Sequence, residues 1–243
     1  DIGNEDCEVR NCLIAHNEDA GIFYEISYGL HAHDNVIVGN GLANTPGAWG
    51  AAAGISLSSS PHCTVERNLL LGNKEGFNFR EQTRSTPRID SRQSEPIWNH
   101  DEMVRNNVLA WNRDAQVWGW FDVPDERHWP RSMQTAPLVG TSVAAPPLSL
   151  EDLNLKVENN LYCPAPGQGL FHWDTAWKRH EKYENLDAMR EQLSLDEGSE
   201  HAELRVGNYA RLDLRVPADS PAERMSCYPR GNVPGVQLGT LPQ

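Results

Sequence analysis

The sequence predicts an all-β solenoid of stacked, repeated coils, and three observations carry that prediction. A phrase of short apolar runs around asparagine occurs four times, in Cys12–Ser27 (CLIAHNEDAGIFYEIS), Asn35–Asn40 (NVIVGN), Asn68–Gln82 (NLLLGNKEGFNFREQ) and Asn107–Asp122 (NVLAWNRDAQVWGWFD). An anchor asparagine recurs in it as Asn17, Asn40, Asn73 and Asn112, at gaps of 23, 33 and 39 residues, a period expected of stacked repeats. Five positions upstream runs a second column, Cys12, Asn35, Asn68 and Asn107, with an isolated match at Asn160.

Each coil reads as strand, asparagine turn, strand, turn, strand. The first strand is a short β-type run such as Cys7–Asn11 (CEVRN), Cys63–Arg67 (CTVER) or Met103–Asn107 (MVRNN). These runs are rich in β-branched residues and leucine and too short for helix. Asparagine suits the turns because it tolerates tight geometry and bonds its own backbone. Stacked asparagines can also form an amide ladder. An antiparallel sheet is disfavoured, since Asn40-Gly41 is the one hairpin dipeptide and it opens an insertion.

The shortest coil spans about 23 residues, the first anchor gap. Later coils carry insertions at Gly41–Gly54, Thr83–His100 and Val123–Leu150. Long loops at one edge of a sheet are expected to wall a groove. Residues 151–165 read as a last irregular coil. Trp173–Leu193 reads as partly helical, with Tyr183, Leu186, Met189 and Leu193 on one face. Tyr209–Arg215 alternates like a strand, and Ser220–Gln243 is an extended Pro/Gly-rich tail. The expected organisation is therefore a coil array over 1–165 and a helix, strand and tail over 166–243 packed on it. The array begins abruptly at Asp1, so further coils and a cap are expected upstream.

The pattern V-x-x-N-x-(I/L)-(I/V/L)-x-x-N-x-x-(A/G)-(G/Q)-(I/V), over roughly residues 5–165, resembles the right-handed parallel β-helix of the pectate-lyase-like superfamily. The segment DSPAERMSCYPRG also resembles the C-terminal ending of many β-helix carbohydrate-active proteins. The resemblance is specific for the fold and weak for the activity. The superfamily includes polysaccharide lyases, glycoside hydrolases, pectin esterases, phage tailspikes and binding proteins. It implies a secreted or periplasmic protein acting on a polysaccharide or oligosaccharide.

Composition narrows the partners. A formal net charge of −13 leaves no basic stripe for nucleic acid and disfavours polyanionic substrates. No apolar run reaches the ~18 residues of a membrane span. Five cysteines, Cys7, Cys12, Cys63, Cys163 and Cys227, lack C-x-x-C spacing and read as thiols rather than disulfides. No G-x-S-x-G, H-E-x-x-H, P-loop or zinc-type spacing is present, so no metal site and no cofactor are expected. Oligomeric state is not legible.

Aligning the strands after the anchors gives columns, because side chains alternate along a strand. Ile22, Ile55, Phe77, Val117 and Tyr24, Leu57, Phe79, Gly119 face inward. Outward columns are Phe23, Ser56, Asn78, Trp118; then Glu25, Ser58, Arg80, Trp120; then Ser27, Ser60, Gln82, Asp122. Exposed paired indoles are costly without a ligand and suit sugar faces, so this stripe is the expected carbohydrate groove. Trp118, Trp120 and Phe23 would hold sugar rings, with Arg80, Asn78 and Gln82 on hydroxyls or a carboxylate.

A glycoside hydrolase needs two carboxyls about 5–9.5 Å apart. Glu81 and Asp122 sit on adjacent coils, roughly 5–8 Å apart from a coil spacing near 4.8 Å. Alternation points Glu81 inward, so the pair requires a bulge at the strand end. Glu25 is the reserve. The alternatives are a lyase, using Arg80 or one of His31, His33, His100 and His128 as base, with Ca²⁺ for which no acidic cluster stands out, and a non-catalytic sugar-binding β-helix.

Overall fold

The computed structural model describes residues 2–43, 52–88, 90–124, 126–135 and 148–242. Among these the chain winds five times through three sheets. Coil 1 holds β1 (Glu5–Arg10), β2 (Leu13–Ala15) and β3 (Ile22–Glu25). Coil 2 holds β4 (Tyr28–His33), β5 (Val36–Val38) and β6 (Ala53–Ser58), and coil 3 holds β7 (Thr64–Glu66), β8 (Leu69–Leu71) and β9 (Glu75–Glu81). A hairpin of β10 (Arg84–Pro87) and β11 (Ser94–Ile97) follows. Coil 4 holds β12 (Met103–Arg105), β13 (Val108–Ala110) and β14 (Ala115–Phe121); coil 5 holds β15 (Lys156–Glu158), β16 (Leu161–Cys163) and β17 (Gly169–Trp173).

The first sheet has the order β1-β4-β7-β12-β15. The second runs β2-β5-β8-β13-β16 and ends on β19 (Glu200–His201), and the third runs β3-β6-β9-β14-β17 and ends on β18 (Glu181–Tyr183). Among the described residues pairing between coils is parallel, and only β18 joins its sheet antiparallel. This is the parallel β-helix the repeat predicts.

Two asparagine ladders hold the turns. In the first, the backbone N and Nδ2 of Asn35 both donate to Asn68 Oδ1 (3.1 and 3.0 Å), Asn68 does the same to Asn107 (3.0 and 3.0 Å), and Asn107 to Asn160 (2.9 and 3.1 Å). In the second, Asn17 donates to Asn40, Asn40 to Asn73 and Asn73 to Asn112, at 2.8–3.1 Å. Coil 5 has Ala165 where the next anchor would stand, and the Gln116 side chain takes its place, accepting from Asn112 Nδ2 at 2.8 Å.

The residue before each rung is left-handed: Asn11, Asp34, Arg67, Asn106 and Asn159 in one column, His16, Gly39, Gly72 and Trp111 in the other. That conformation costs a non-glycine residue about 1–2 kcal/mol. The rung repays it by pairing amides that would otherwise be buried without a partner. The ladder also dictates a glycine column. A Cβ on Gly54 would come within 2.9 Å of Asn73 Nδ2, and one on Gly76 within 2.7 Å of Asn112 Nδ2.

The interior is filled by the predicted inward columns: Ile22 pairs with Ile55, Ile55 with Phe77, Phe77 with Val117 and Val117 with Phe171. Gly119 is required beside them because a Cβ there would collide with the Phe121 ring and lie 2.9 Å from Trp173. The second sheet is buried on both faces. Outside it lie Leu204, Leu214, Val216, Met225, Cys227, Tyr228 and Val236 of the C-terminal segment. Continuous runs such as VIV and LLL follow from this two-sided burial.

Several expectations need correction. The helix after the coils, α2, covers only Leu186–Leu193, and Tyr183 belongs to β18; a short helix α1 (Leu150–Leu153) precedes coil 5 and α3 (Pro221–Arg224) lies in the tail. Tyr209–Arg211 is a 3-10 turn, not a strand, because Asn208 caps it by accepting from the Arg211 amide. The Thr83–His100 insertion is largely the β10–β11 hairpin. Residues 44–51 and 136–147 of the other two insertions lie outside the described residues. All five cysteines are free thiols; Cys63, Cys163 and Cys227 are buried, and Cys7 packs against the core.

Asn73→Ala removes the acceptor for both amides of Asn40 and leaves its backbone N–H buried and unpaired. The expected loss is about 2–4 kcal/mol, one or two buried donors at 1–3 kcal/mol each, read from urea unfolding. A loss under about 0.5 kcal/mol would mean that the ladder does not carry the turns.

Candidate functional site

The third sheet's outer face has the predicted alignment but not the predicted openness. Phe23, Ser56, Asn78, Trp118 and His172 form one column, and Glu25, Ser58, Arg80 and Trp120 the next. Ser56 and Asn78 are fully buried, and Trp120 is only 7% exposed. Trp118 stacks on Trp120 at 4.4 Å, with His172 and His180 packed on Trp118. Trp118 Nε1 donates to the Asp174 carbonyl at 3.0 Å, so the segment after β17 lies over the stripe.

The carboxyls separate. Glu81 follows the alternation into the interior: its Oε1 accepts from Ser59 Oγ (2.8 Å) and its Oε2 from the Asn99 amide (2.6 Å). Burial raises its pKa to about 7. No bulge turns it out. Asp122 lies on the other side of the strand and pairs with Lys178 Nζ at 3.1 Å. Glu25 sits with Arg80 (3.6 Å) and Ser58 (3.4 Å), and the Arg80 guanidinium lies 5.8 Å from the Phe23 ring centre. Gln82 accepts from Arg84.

The third outward column is not a column of the face. Ser27 and Ser60 are fully buried and build a third turn ladder, Ser27 N to Ser60 Oγ (3.3 Å) and Ser60 N to Asn99 Oδ1 (3.0 Å). Left-handed Ile26 and Ser59 just before them break the alternation. A residue the alignment did not single out lies under the indoles instead. Glu75, fully buried, accepts from Asn78 Nδ2 (2.8 Å) and Trp120 Nε1 (3.0 Å) through Oε2. Burial raises its pKa to about 7 against those two hydrogen bonds.

The first sheet carries a cluster of residues able to ligate a metal. Its outer face is charged, with Arg10, His33, Glu66, Arg105 and Glu158 in one column and Glu8 opposite His31 in the next. Glu8, His31 and His33 each present a ligating atom, all within 4.8 Å of one another. The imidazoles of His31 and His33 stack with centroids 4.2 Å apart. His33 Nδ1 lies 2.6 Å from Asp34 Oδ2, and its Nε2 lies 3.2 Å from Glu8 Oε1. Asp34 is fixed in turn by Arg67 (3.2 Å) and the Arg230 amide (2.7 Å). Burial opposes its charge, but hydrogen bonds from His33, the Arg230 amide and Arg67 outweigh it and keep its pKa low. Glu66 receives His31 at 3.2 Å, Arg67 at 2.9 Å and Arg105 at 3.0 Å.

From sequence alone His31 and His33 are candidate bases and no metal site is expected. The signal was available. A His-x-His on a strand puts two imidazoles on one face, and the 23-residue first gap sets Glu8 opposite His31.

A cleft of about 630 Å³ opens beside coil 5, lined by Asp114, Ala165, Gln168, His172, Lys182 and His201 among others. Burial, then Lys182, hold the His172 pKa down to about 4, so that ring is neutral.

Residues 2–92 match the family model described as periplasmic copper-binding protein (NosD), a right-handed β-helix family. The matched stretch spans coils 1 to 3 and contains Glu8, His31, His33, Asp34 and Glu66. No curated protein and no solved structure matches the chain. The family's periplasmic description agrees with the secreted or periplasmic location expected from sequence. Among the described residues no helix is long and apolar enough to cross a membrane.

Glu75 should make the fold pH-sensitive. With a folded pKa near 7 against 4.5, its contribution is fully present below pH 4.5 and is lost as pH rises through 7. Two and a half units correspond to about 3 kcal/mol. Glu75→Gln keeps an oxygen for Asn78 and Trp120 and should flatten the fall in stability between pH 5 and pH 8, measured by chemical denaturation. Equal slopes in both proteins would rule out Glu75 as the source.

Proposed function

We propose that this chain is a non-catalytic periplasmic β-helix that binds a copper(II) ion through Glu8, His31 and His33. The observation that carries this reading is the His33 ring, whose Nδ1 is taken by Asp34 while its Nε2 faces Glu8. Ligating histidines characteristically give their second nitrogen to a carboxylate, which fixes the tautomer and orients the free one. Two imidazoles and a carboxylate are a donor set suited to Cu²⁺. The three residues also lie inside the stretch that matches the copper-binding family model. Copper would bring charge and Lewis acidity; the chain's residues supply its ligands and the Asp34 brace.

Hydrolysis is not supported by Glu81 and Asp122, since Glu81 is interior while Asp122 is paired with Lys178. Sugar binding without catalysis keeps one supporting observation. Trp177, 55% exposed, lies 5.9 Å from Trp120 and extends the Trp118–Trp120 stack to the surface. On that reading a glycan array gives hits that Trp177→Ala loses, and a blank array removes it.

Copper binding is tested on the intact chain by calorimetry and electron paramagnetic resonance with Cu²⁺. His33→Ala should lose one equivalent and its signal, and Asp34→Asn should weaken that equivalent roughly 10–100-fold. Affinity should fall as pH falls, because the ligands must be deprotonated. Unchanged stoichiometry and spectrum in His33→Ala would sink the reading.

A further inference from the structure

We propose a second divalent-metal site, formed by His62, His100 and Asp101 where the third sheet turns into the first. It shares no residue with Glu8, His31 and His33. Two of its three ligands also lie beyond the stretch that matches the copper-binding family.

The site arises from coil stacking. His62 lies in the turn entering β7, and His100 and Asp101 lie in the equivalent turn entering β12. The two turns are joined by a hydrogen bond from the His62 amide to the His100 carbonyl (3.0 Å), and the Asp101 amide continues the stack to the Leu153 carbonyl (2.8 Å). Residues remote in sequence are thereby brought side by side.

The ligating atoms converge. All three lie within 4.8 Å of one another, with His62 Nδ1 at 3.9 Å and His100 Nδ1 at 2.7 Å from Asp101 Oδ2. Metal bonds of about 2.0–2.2 Å set ligand atoms roughly 3–4 Å apart, so small side-chain shifts suffice.

The ligands are also braced. Asn154 Nδ2 donates to Asp101 Oδ1 at 2.6 Å, which leaves Oδ2 for the imidazoles. The His100 ring packs against Trp98 and against the edge of His62, both at 4.9 Å. Contacts of this kind aim ligands before the metal arrives.

The outer side is open. The side chains of His62 and Asp101 are 57% and 42% exposed, against 22% for His100. Three protein ligands facing water leave a coordination position for a solvent molecule or an external donor. Two imidazoles and a carboxylate select a first-row divalent ion such as Zn²⁺ or Cu²⁺ over Ca²⁺ or Mg²⁺.

The test is a calorimetric Zn²⁺ titration of the full chain, with metal-free thermal melts to check that each variant folds. Wild type should bind two equivalents. His62→Ala and Asp101→Asn should each retain one, His33→Ala should retain the other, and His33→Ala/His62→Ala none. Unchanged stoichiometry in both His62→Ala and Asp101→Asn overturns the inference. A single wild-type equivalent lost only on His33→Ala overturns it while leaving the first site standing. One lost only on His62→Ala supports it and shows that the first site does not take Zn²⁺, its copper binding being decided by the Cu²⁺ titration.

Discussion

The structure depends on where the turn amides send their hydrogen bonds. Every coil must bend sharply, and each bend buries backbone N–H groups that no strand partner can reach. A side-chain oxygen from the next coil takes them, most often one asparagine Oδ1 accepting both a backbone and a side-chain amide. Because each rung is also the donor to the next, the ladders fix the axial register of all three sheets. Glu8 and His31, in different coils, become neighbours through that register, as do His62 and His100.

The same constraint explains what could be read in the sequence. The asparagine columns, the inward columns from Ile22 to Val117 and the first two outward columns were legible, since each needs only the repeat and the period of a strand. The Ser27–Ser60 column was not. Alternation holds along one strand, and a left-handed residue at Ile26 or Ser59 resets it without a distinctive residue type. The burial of Trp120 was also hidden, because the residues packed on the indoles come from a segment far along the chain. The expected helix was too long for a different reason: Tyr183 has the helical spacing, but pairing with Phe171 on β17 claims it for a strand.

The three outer faces have different fates. The second is closed by the C-terminal segment, and the third is largely covered around its stacked aromatics. The first is left charged, with His31 partly accessible and His33 buried beside it. These faces are not independent. The Arg230 amide, in the tail that closes the second sheet, holds Asp34, and Asp34 holds His33. A contact made for packing thus reaches the ring nitrogen that faces Glu8.

Gln116 ends one ladder from within. By reaching back to Asn112 it supplies the acceptor that coil 5 would otherwise have to provide, and Ala165 can stand where an asparagine was obligatory. The chain from Pro164 to Gly169 is released from the repeat at that point, and these residues line the cleft beside coil 5. A single glutamine thereby acts as a stop signal for the solenoid's periodicity. It hands the last turn over to variation, so insertions or new binding chemistry could accumulate there without disturbing any coil below it.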